Sequence, residues 1–270
     1  MSKVRTLVIT GNGTNCEVES AHAARVAGSD VTDIVFFSDL IAGRARIDLY
    51  DFLIFPGGFL DGDDLGAAQA AAVRWRHART HTGAPLLDQL KNFFEAGGLV
   101  LGICNGFQLL VKLGLLPALG GAAFVRQVSL ATNDSARFED RWVTLAVNPQ
   151  SPCVFTKGLT RLDLPVRHGE GKLVPLESAI LEQLMATGAV VLQYADPATG
   201  RPTMDYPANP NGSPHAIAGL TDPTGRILGL MPHPEAFNHP TNHPDYTRGA
   251  RPTLGTVLFE NAVSYLRQRA

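Results

Sequence analysis

The chain has 270 residues, of which 45% are hydrophobic and 18% are charged, and its formal net charge is −2. This balance argues against a nucleic-acid-binding protein, which carries a clear basic excess, and the sequence has no apolar run of the roughly 18 residues that span a membrane. The N-terminus lacks a signal-peptide pattern. Three widely spaced cysteines, Cys16, Cys104 and Cys153, favour a reducing compartment over a disulfide framework. We therefore expect a cytoplasmic globular protein.

Up to residue 115 the chain alternates strand-like and helix-like segments. Strands are predicted at residues 4–10, 31–37, 52–55 and 99–103, and helices at 17–27, 86–96 and 106–113. Strands that are separated by helices indicate βαβ units, which build a parallel sheet covered on both faces.

The second half of the chain has a different pattern. Antiparallel strands are predicted at residues 125–130 and 142–147, a loop at 199–214, a further strand at 227–231 and a final amphipathic helix at 253–269. The sequence therefore predicts an α/β fold with a mostly parallel sheet and an antiparallel region in its second half. We expect residues 1–270 to form one domain.

The junction between the predicted strand 99–103 and the helix after it has the pattern Gly-x-Cys-x-Gly, formed by Gly102, Cys104 and Gly106. This is the cysteine version of the nucleophile elbow, a sharp turn that lifts the nucleophile above a sheet. The helix N-terminus favours a thiolate at Cys104, and the N–H of Asn105 is placed to donate to an oxyanion. An isolated cysteine is more often a buried core residue, but the two glycines favour a nucleophile here.

A base and a group to orient it occur together at the end of the predicted strand 227–231. His233 lies between Pro232 and Pro234, and Glu235 follows at a spacing that lets it reach the imidazole. A cysteine nucleophile needs such a base. A surface histidine in a proline-rich loop is the alternative for His233 taken alone, and the elbow favours a Cys104–His233–Glu235 triad.

A Pro56-Gly57-Gly58 turn ends the predicted strand 52–55. Ligand sites in open α/β sheets form at the carboxyl ends of strands. We therefore expect the N–H of Gly58 to be a second oxyanion donor, although this sequence is also common in simple turns.

Taken together, these motifs resemble the class I (triad) glutamine amidotransferases. Within that class, several segments are similar to the glutaminase subunits of phosphoribosylformylglycinamidine synthase: residues 57–63, 104–108, 168–171, 209–213 and 231–235. The Cys104-Asn105-Gly106-Phe107-Gln108 form is the most specific of them. The resemblance runs from the first predicted strand to the last helix and implies the flavodoxin-like α/β fold of this class.

The resemblance also implies an activity and its partners. The chain would hydrolyse glutamine through a thioester on Cys104 and pass ammonia to an ATP-dependent synthetase subunit in de novo purine (IMP) biosynthesis. Gln108, His168, Gly169 and Glu170 would help to hold glutamine. No cofactor is expected in this chain, because ATP and Mg²⁺ would bind the large subunit together with formylglycinamide ribonucleotide. A small subunit would bridge the two, and no nucleic acid or membrane is expected as a partner.

Two alternatives remain open at this point. One is a free-standing cysteine hydrolase of the same fold, or another class I amidotransferase, that works without a partner. The other is a non-catalytic scaffold. The residues after Cys104 speak against the first, and the intact triad speaks against the second.

Other segments carry weaker signals. The segment 13–17 also resembles a family signature, in which Cys16 is expected to cap or pack near a helix start rather than react. His239 and His243 are four residues apart, but prolines between them disfavour a helix and no third ligand is near, so no metal is expected. Residues 59–63 depart from the common family sequence. Extra residues between Trp75 and Leu86, and at 238–244, lie where contact with a synthetase is expected.

Overall fold

The computed structural model describes residues 3–269. Its strands are β1 (Arg5–Thr10), β2 (Val31–Phe36), β3 (Phe52–Phe55), β4 (Leu99–Ile103), β5 (Val128–Thr132), β6 (Glu139–Val147), β7 (Arg161–His168), β8 (Glu170–Pro175), β9 (Val190–Ala195), β10 (Ile217–Thr221) and β11 (Ile227–Leu230). Its α-helices are α1 (Glu17–Val26), α2 (Phe37–Ile41), α3 (Gln69–His77), α4 (Leu86–Glu95), α5 (Asn105–Leu113), α6 (Ser178–Ala186) and α7 (Val257–Arg269).

Nine strands form one sheet in the order β2-β1-β3-β4-β11-β10-β9-β6-β7. Pairing is parallel from β2 to β11 and antiparallel from β11 to β7. Strands β5 and β8 form a separate antiparallel pair. The predicted α/β class and its antiparallel region are confirmed, although the antiparallel part is larger than predicted. The continuity of this sheet supports our proposal that the chain is one domain.

The centre of the sheet is apolar on both faces. Every residue of β3 and β4 is buried, which is the pattern of strands covered by helices on either side. Both strands end at the bounds predicted from sequence, because each is a short apolar run that a turn stops. The carboxyl ends of β3, β4 and β11 therefore lie side by side at one edge of the sheet.

Two predicted elements are displaced along the chain. The strand predicted at 125–130 occurs as β5, in the small sheet, because the Gln127 side chain bonds to the backbone N–H and carbonyl of Leu119 and keeps the preceding residues in a loop. The last helix begins at Val257 rather than at residue 253. Here Gly255 packs so closely on the loop after β11 that a Cβ would lie 2.1 Å from the carbonyl oxygen of Pro234.

The segment between Trp75 and Leu86, where we expect extra residues, begins and ends in the core. Trp75 is 1% exposed and belongs to α3, and its ring centroid lies 5.0 Å from that of Phe37 and 5.6 Å from that of Phe55. Leu86 is also fully buried. Both ends of this segment are therefore core residues, while most residues between them, including the last two of α3, are exposed.

None of the helices between residues 3 and 269 combines the length and the apolar character that crossing a membrane demands.

Candidate active site

Cys104 lies between β4 and α5 in a strained backbone conformation, with φ 52° and ψ −107°. Positive φ is uncommon for a residue with a side chain and is typical of functional turns. The two flanking glycines are required by close packing. A Cβ on Gly102 would lie 2.9 Å from the backbone of Gly106, and one on Gly106 would lie 1.9 Å from the carbonyl oxygen of Phe55. The structure thus has the elbow that the sequence predicts.

The elbow holds the Cys104 thiol at the edge of a small cavity. The residue is 6% exposed, and its Sγ donates to the backbone carbonyl of Arg167 at 3.6 Å. It is the N-cap residue of α5, so the unpaired N–H groups of the first helical turn lie next to it, which favours negative charge there.

His233 and Glu235 form a buried pair beyond the end of β11. The distance between His233 Nδ1 and Glu235 Oε1 is 2.6 Å, and the two residues are 2% and 0% exposed. A short 3₁₀ turn from Pro234 to Ala236 brings Glu235 back toward the ring. The surface-histidine alternative is therefore wrong.

The electrostatics of His233 favour its charged form. Burial lowers the pKa of His233, but the charges of Glu235 and Cys104 raise it, and the result lies well above the usual value. Nδ1 is occupied by Glu235, and the buried Nε2 has no hydrogen-bond partner among residues 3–269. This leaves Nε2 free to exchange a proton with a reacting group.

Gly58 lies at the same cavity, at the end of β3. Its φ is +134°, and a Cβ would lie 2.7 Å from the carbonyl oxygen of Gly13, so only glycine fits. The Asn105 side chain connects this loop to the nucleophile helix, because its Oδ1 accepts from Leu60 N at 3.1 Å and its Nδ2 donates to Gln108 Oε1 at 3.2 Å. The oxyanion roles of the Gly58 and Asn105 N–H groups stay predictions.

A cavity of about 120 Å³ brings the predicted residues together. Its lining includes Gly58, Cys104, Gln108, His168, Gly169, Glu170 and His233. Asn105 lies in the first turn of α5, and Glu235 lies behind His233. The sequence therefore predicted the location of the site, while the roles of Gln108, His168, Gly169 and Glu170 toward glutamine remain to be tested.

Two of these side chains are already engaged. Gln108 Nε2 donates to the carbonyl oxygen of Glu170 at 2.6 Å, and Glu170 Oε2 accepts from Ala67 N at 3.1 Å. These bonds attach the 168–171 segment to α5 and to the loop before α3. Gln108 and Glu170 thus line the cavity and also hold its wall in place.

His168 is neutral and presents a free acceptor. Burial and the charge of His233 lower the pKa of His168 to about 3. Its Nδ1 lies 3.1 Å from Asn133 Oδ1, and the Asn133 amide group is oriented by donating to the backbone carbonyl of His168. Nδ1 is therefore the protonated nitrogen, and Nε2 is a buried acceptor without a partner in the part of the chain described.

Other lining residues were not predicted as site residues: Asn15, Cys16, Phe59, Asp63, Phe138 and Arg167. The buried Oδ1 of Asp63 has no hydrogen-bond partner within residues 3–269, and burial together with the charge of Glu170 raises the pKa of this carboxyl. Asp63 is the last residue of the family-like segment 57–63. Its place in that segment was the one feature of the sequence that could have indicated a site residue. Cys16 had a similar signal in the 13–17 segment.

The expectation that no metal binds stays a prediction. Single ligand atoms of Cys16, His233 and Glu235 all lie within 4.8 Å of one another. However, the Nδ1–Oε1 distance of 2.6 Å is that of a hydrogen bond and leaves no room for an ion between these atoms. His239 bonds to Thr241, and the His243 ring packs on Trp142 at 4.8 Å between ring centroids.

Comparisons with known proteins agree with this geometry. Residues 3–266 match the family described as the CobB/CobQ-like glutamine amidotransferase domain. Phosphoribosylformylglycinamidine synthase subunit PurQ of Dehalococcoides mccartyi is 44% identical, over 99% of this chain and 100% of that protein. The protein of the same name from Methanococcus maripaludis is 43% identical, over 98% of this chain and 99% of that protein.

A solved structure is similar over the same length. The chain superimposes on a chain of the structure of PurLQS from Thermotoga maritima with a TM-score of 0.70 and 28% identity, covering 98% of this chain and 100% of that one. With the matched fold, the full-length identity and the elbow geometry in place, the chain belongs to the glutamine amidotransferases and, within them, to the family of the PurQ subunits of phosphoribosylformylglycinamidine synthase.

Proposed function

We propose that this chain hydrolyses glutamine at Cys104 and delivers the ammonia to an ATP-dependent synthetase subunit in de novo purine (IMP) biosynthesis. The chain is a glutamine amidotransferase by family. The observation that carries the residue assignment is the buried His233–Glu235 pair at 2.6 Å, next to the strained Cys104 in one cavity.

The first half of the reaction forms a thioester. The Cys104 thiolate attacks the side-chain amide carbon of glutamine, and the N–H groups of Asn105 and Gly58 stabilise the oxyanion that develops. The imidazolium of His233 then donates a proton to the leaving nitrogen. Ammonia departs as the carbon–nitrogen bond breaks, and a γ-glutamyl thioester remains on Cys104.

The second half restores the enzyme. Neutral His233 accepts a proton from a water molecule, whose oxygen attacks the thioester carbon. The carbon–sulfur bond breaks, glutamate leaves, and Cys104 returns to the thiolate. Glu235 keeps the ring in the tautomer that presents Nε2 to each step.

The complete synthase reaction requires partner subunits in addition to this chain. The relatives are subunits of a synthase by name, and the similar solved structure is that of PurLQS from Thermotoga maritima. On this basis the chain acts with a PurL-type synthetase subunit. We further assign formylglycinamide ribonucleotide, ATP and Mg²⁺ to that subunit and a bridging role to a small third subunit, with no cofactor in this chain.

Glutamate release from glutamine, measured with and without the synthetase and its nucleotide substrate, tests the proposal. Release that rises sharply when the synthetase, ATP and formylglycinamide ribonucleotide are present is the expected result. Equal release by the chain alone would contradict the proposal and favour a free-standing cysteine hydrolase.

A further inference from the structure

Cys16 is a second cysteine in the active-site cavity, and the proposed reaction gives it no role. It is 8% exposed and directly precedes α1. Its Sγ donates to Asn15 Oδ1 at 3.2 Å and lies 4.0 Å from His233 Nδ1. The packing expected near a helix start is present, but the surface on which the thiol packs is the imidazole of the proposed base.

The backbone that carries Cys16 is fixed against the loop after β3. Phe59 N donates to Gly13 O at 2.8 Å, and Asp61 N donates to Asn12 O at 2.8 Å. These bonds join two loops that lie more than 40 residues apart in the sequence. The position of Cys16 is therefore set by the same contacts that set the Gly57–Gly58 turn.

Gly57 and Cys16 enclose one edge of the imidazole ring. A Cβ on Gly57 would lie 2.7 Å from His233 Cε1 and 3.3 Å from Cys16 Sγ. The Cε1–Nδ1 edge of the ring therefore contacts the backbone of Gly57, and the sulfur of Cys16 lies beside the same edge. Nδ1 is also the nitrogen that Glu235 binds, so the sulfur lies beside that hydrogen bond.

We propose that Cys16 is a positioning residue, whose thiol fills the space beside His233 Nδ1, keeps water from the Nδ1–Glu235 hydrogen bond and holds the ring against Gly57. This inference rests on the proposed function, since it concerns the base of that reaction. It assigns a role to the 13–17 segment within the active site itself.

The chemistry of a thiol suits this role. Burial raises the pKa of Cys16, so the group stays neutral and adds no charge beside the base. A thiol is also a weak hydrogen-bond donor and acceptor. It therefore fills space without competing with Glu235 for the Nδ1 proton, whereas a serine hydroxyl is smaller and competes more strongly.

Exclusion of water by Cys16 affects the interactions between His233 and the charged groups around it. Burial lowers the pKa of His233, whereas the charges of Glu235 and Cys104 raise it, and the result lies well above the usual value. Burial and the charge of His233 lower the pKa of His168 to about 3, so His168 is uncharged at neutral pH. Arg167 also lines the cavity, and its charge offsets only a small part of the effect of burial, which raises the pKa of Cys16. Attraction between charges weakens steeply when water replaces apolar atoms. Water admitted beside Nδ1 would thus weaken the stabilisation of the imidazolium by Glu235.

The test is the pH dependence of Cys104 alkylation by iodoacetamide in the full-length chain, with modification of the Cys104 peptide quantified by mass spectrometry. A less stable imidazolium makes the Cys104 thiolate harder to form. We expect Cys16→Ala to raise the pH midpoint of alkylation by about 1 unit and to lower kcat for glutamine hydrolysis more than it changes KM.

Cys153→Ala is the matched control, because Cys153 is also a buried free cysteine but lies in the core, next to Phe155 and Thr156. Its midpoint should equal that of the wild type. Cys16→Ser keeps a donor to Asn15, but its hydroxyl is smaller than the thiol and competes with Glu235 for the Nδ1 proton. It should therefore shift the midpoint in the same direction, and it replaces Cys16→Ala if that variant does not fold.

An unchanged midpoint in the Cys16 variant, or an equal shift in Cys153→Ala, would overturn the positioning role. Neither result affects the proposed function. Conversely, a wild-type chain that releases no glutamate with its synthetase would contradict the proposed function, whatever the alkylation midpoint.

Discussion

The side-chain amide of Gln108 donates a 2.6 Å hydrogen bond to the backbone carbonyl of Glu170. This bond connects the nucleophile helix α5 to the segment 168–171, whose first three residues also line the cavity. The sequence resemblance assigned both residues to glutamine binding. In the structure, Gln108 also fixes the shape of the wall that glutamine would touch.

Replacing Gln108 by leucine should therefore weaken glutamine binding more than it slows the chemistry. Leucine removes both hydrogen bonds of the Gln108 side chain, the one to the Glu170 carbonyl and the one from Asn105 Nδ2. Loss of a hydrogen bond of this kind costs about 1–1.5 kcal/mol, so we expect KM for glutamine to rise roughly five- to tenfold or more, with synthesis from ammonium salts unchanged. Steady-state kinetics of the complex measure both. Gln193→Leu is the control, because Gln193 makes a similar bond to the carbonyl of His215. A wild-type KM in Gln108→Leu would remove this role.

Glu235→Gln should reduce glutamine hydrolysis by about 10²- to 10⁴-fold. The amide can still lie at hydrogen-bond distance from Nδ1, but it no longer supplies the charge that raises the pKa of His233. Glu95→Gln, on the exposed end of α4, is the control. Glutamate release at the wild-type rate in Glu235→Gln would exclude Glu235 from the triad.

Gly106→Ala should destabilise the fold by about 1–3 kcal/mol or more, because the added Cβ would lie 1.9 Å from the carbonyl oxygen of Phe55. Gly169→Ala is a matched control, since neither glycine has positive φ and the nearest atom to a Gly169 Cβ is 4.0 Å away. The free energy of unfolding from urea denaturation measures both variants. Equal stabilities would contradict the close approach of β3 and α5.

Acid stability should depend on His168. Its pKa falls from 6.5 to about 3 on folding, so the unfolded chain binds one more proton between these values. The free energy of unfolding should therefore decrease as the pH falls from 6.5 toward 3, by at most about 1.4 kcal/mol per pH unit from this group.

His168→Gln should show a shallower decrease over that range, whereas substitution of the exposed His22 should leave the slope unchanged. Urea denaturation at several pH values measures these slopes. If the slope of His168→Gln equals that of the wild type, His168 is not buried in its neutral form.

The sequence predicted those features that depend on neighbours along the chain. The bounds of β3 and β4, the elbow at Cys104 and the contact of His233 with Glu235 each follow from a short local pattern. The core position of Trp75 was not predicted, because an aromatic residue near a surface turn gives no local sign of its contacts with Phe37 and Phe55.

What the sequence missed depends on packing between distant segments. The contact of Cys16 with His233 spans 217 positions and requires the loop after β1 to pair with the loop after β3. Burial and the charge of Glu170, which raise the pKa of the Asp63 carboxyl, act only when segments that are distant in the sequence pack together. Neither relationship has a periodic or spacing signal in one sequence.

The most direct test of the proposed function is the Cys104→Ala variant in complex with its synthetase subunit, assayed for product formation with glutamine and, separately, with ammonium salts. We predict that the glutamine-dependent reaction is lost while the ammonium-dependent reaction continues at the wild-type rate, because the variant removes only the nucleophile that releases ammonia. Loss of both reactions together, or survival of the glutamine-dependent one, would contradict the account.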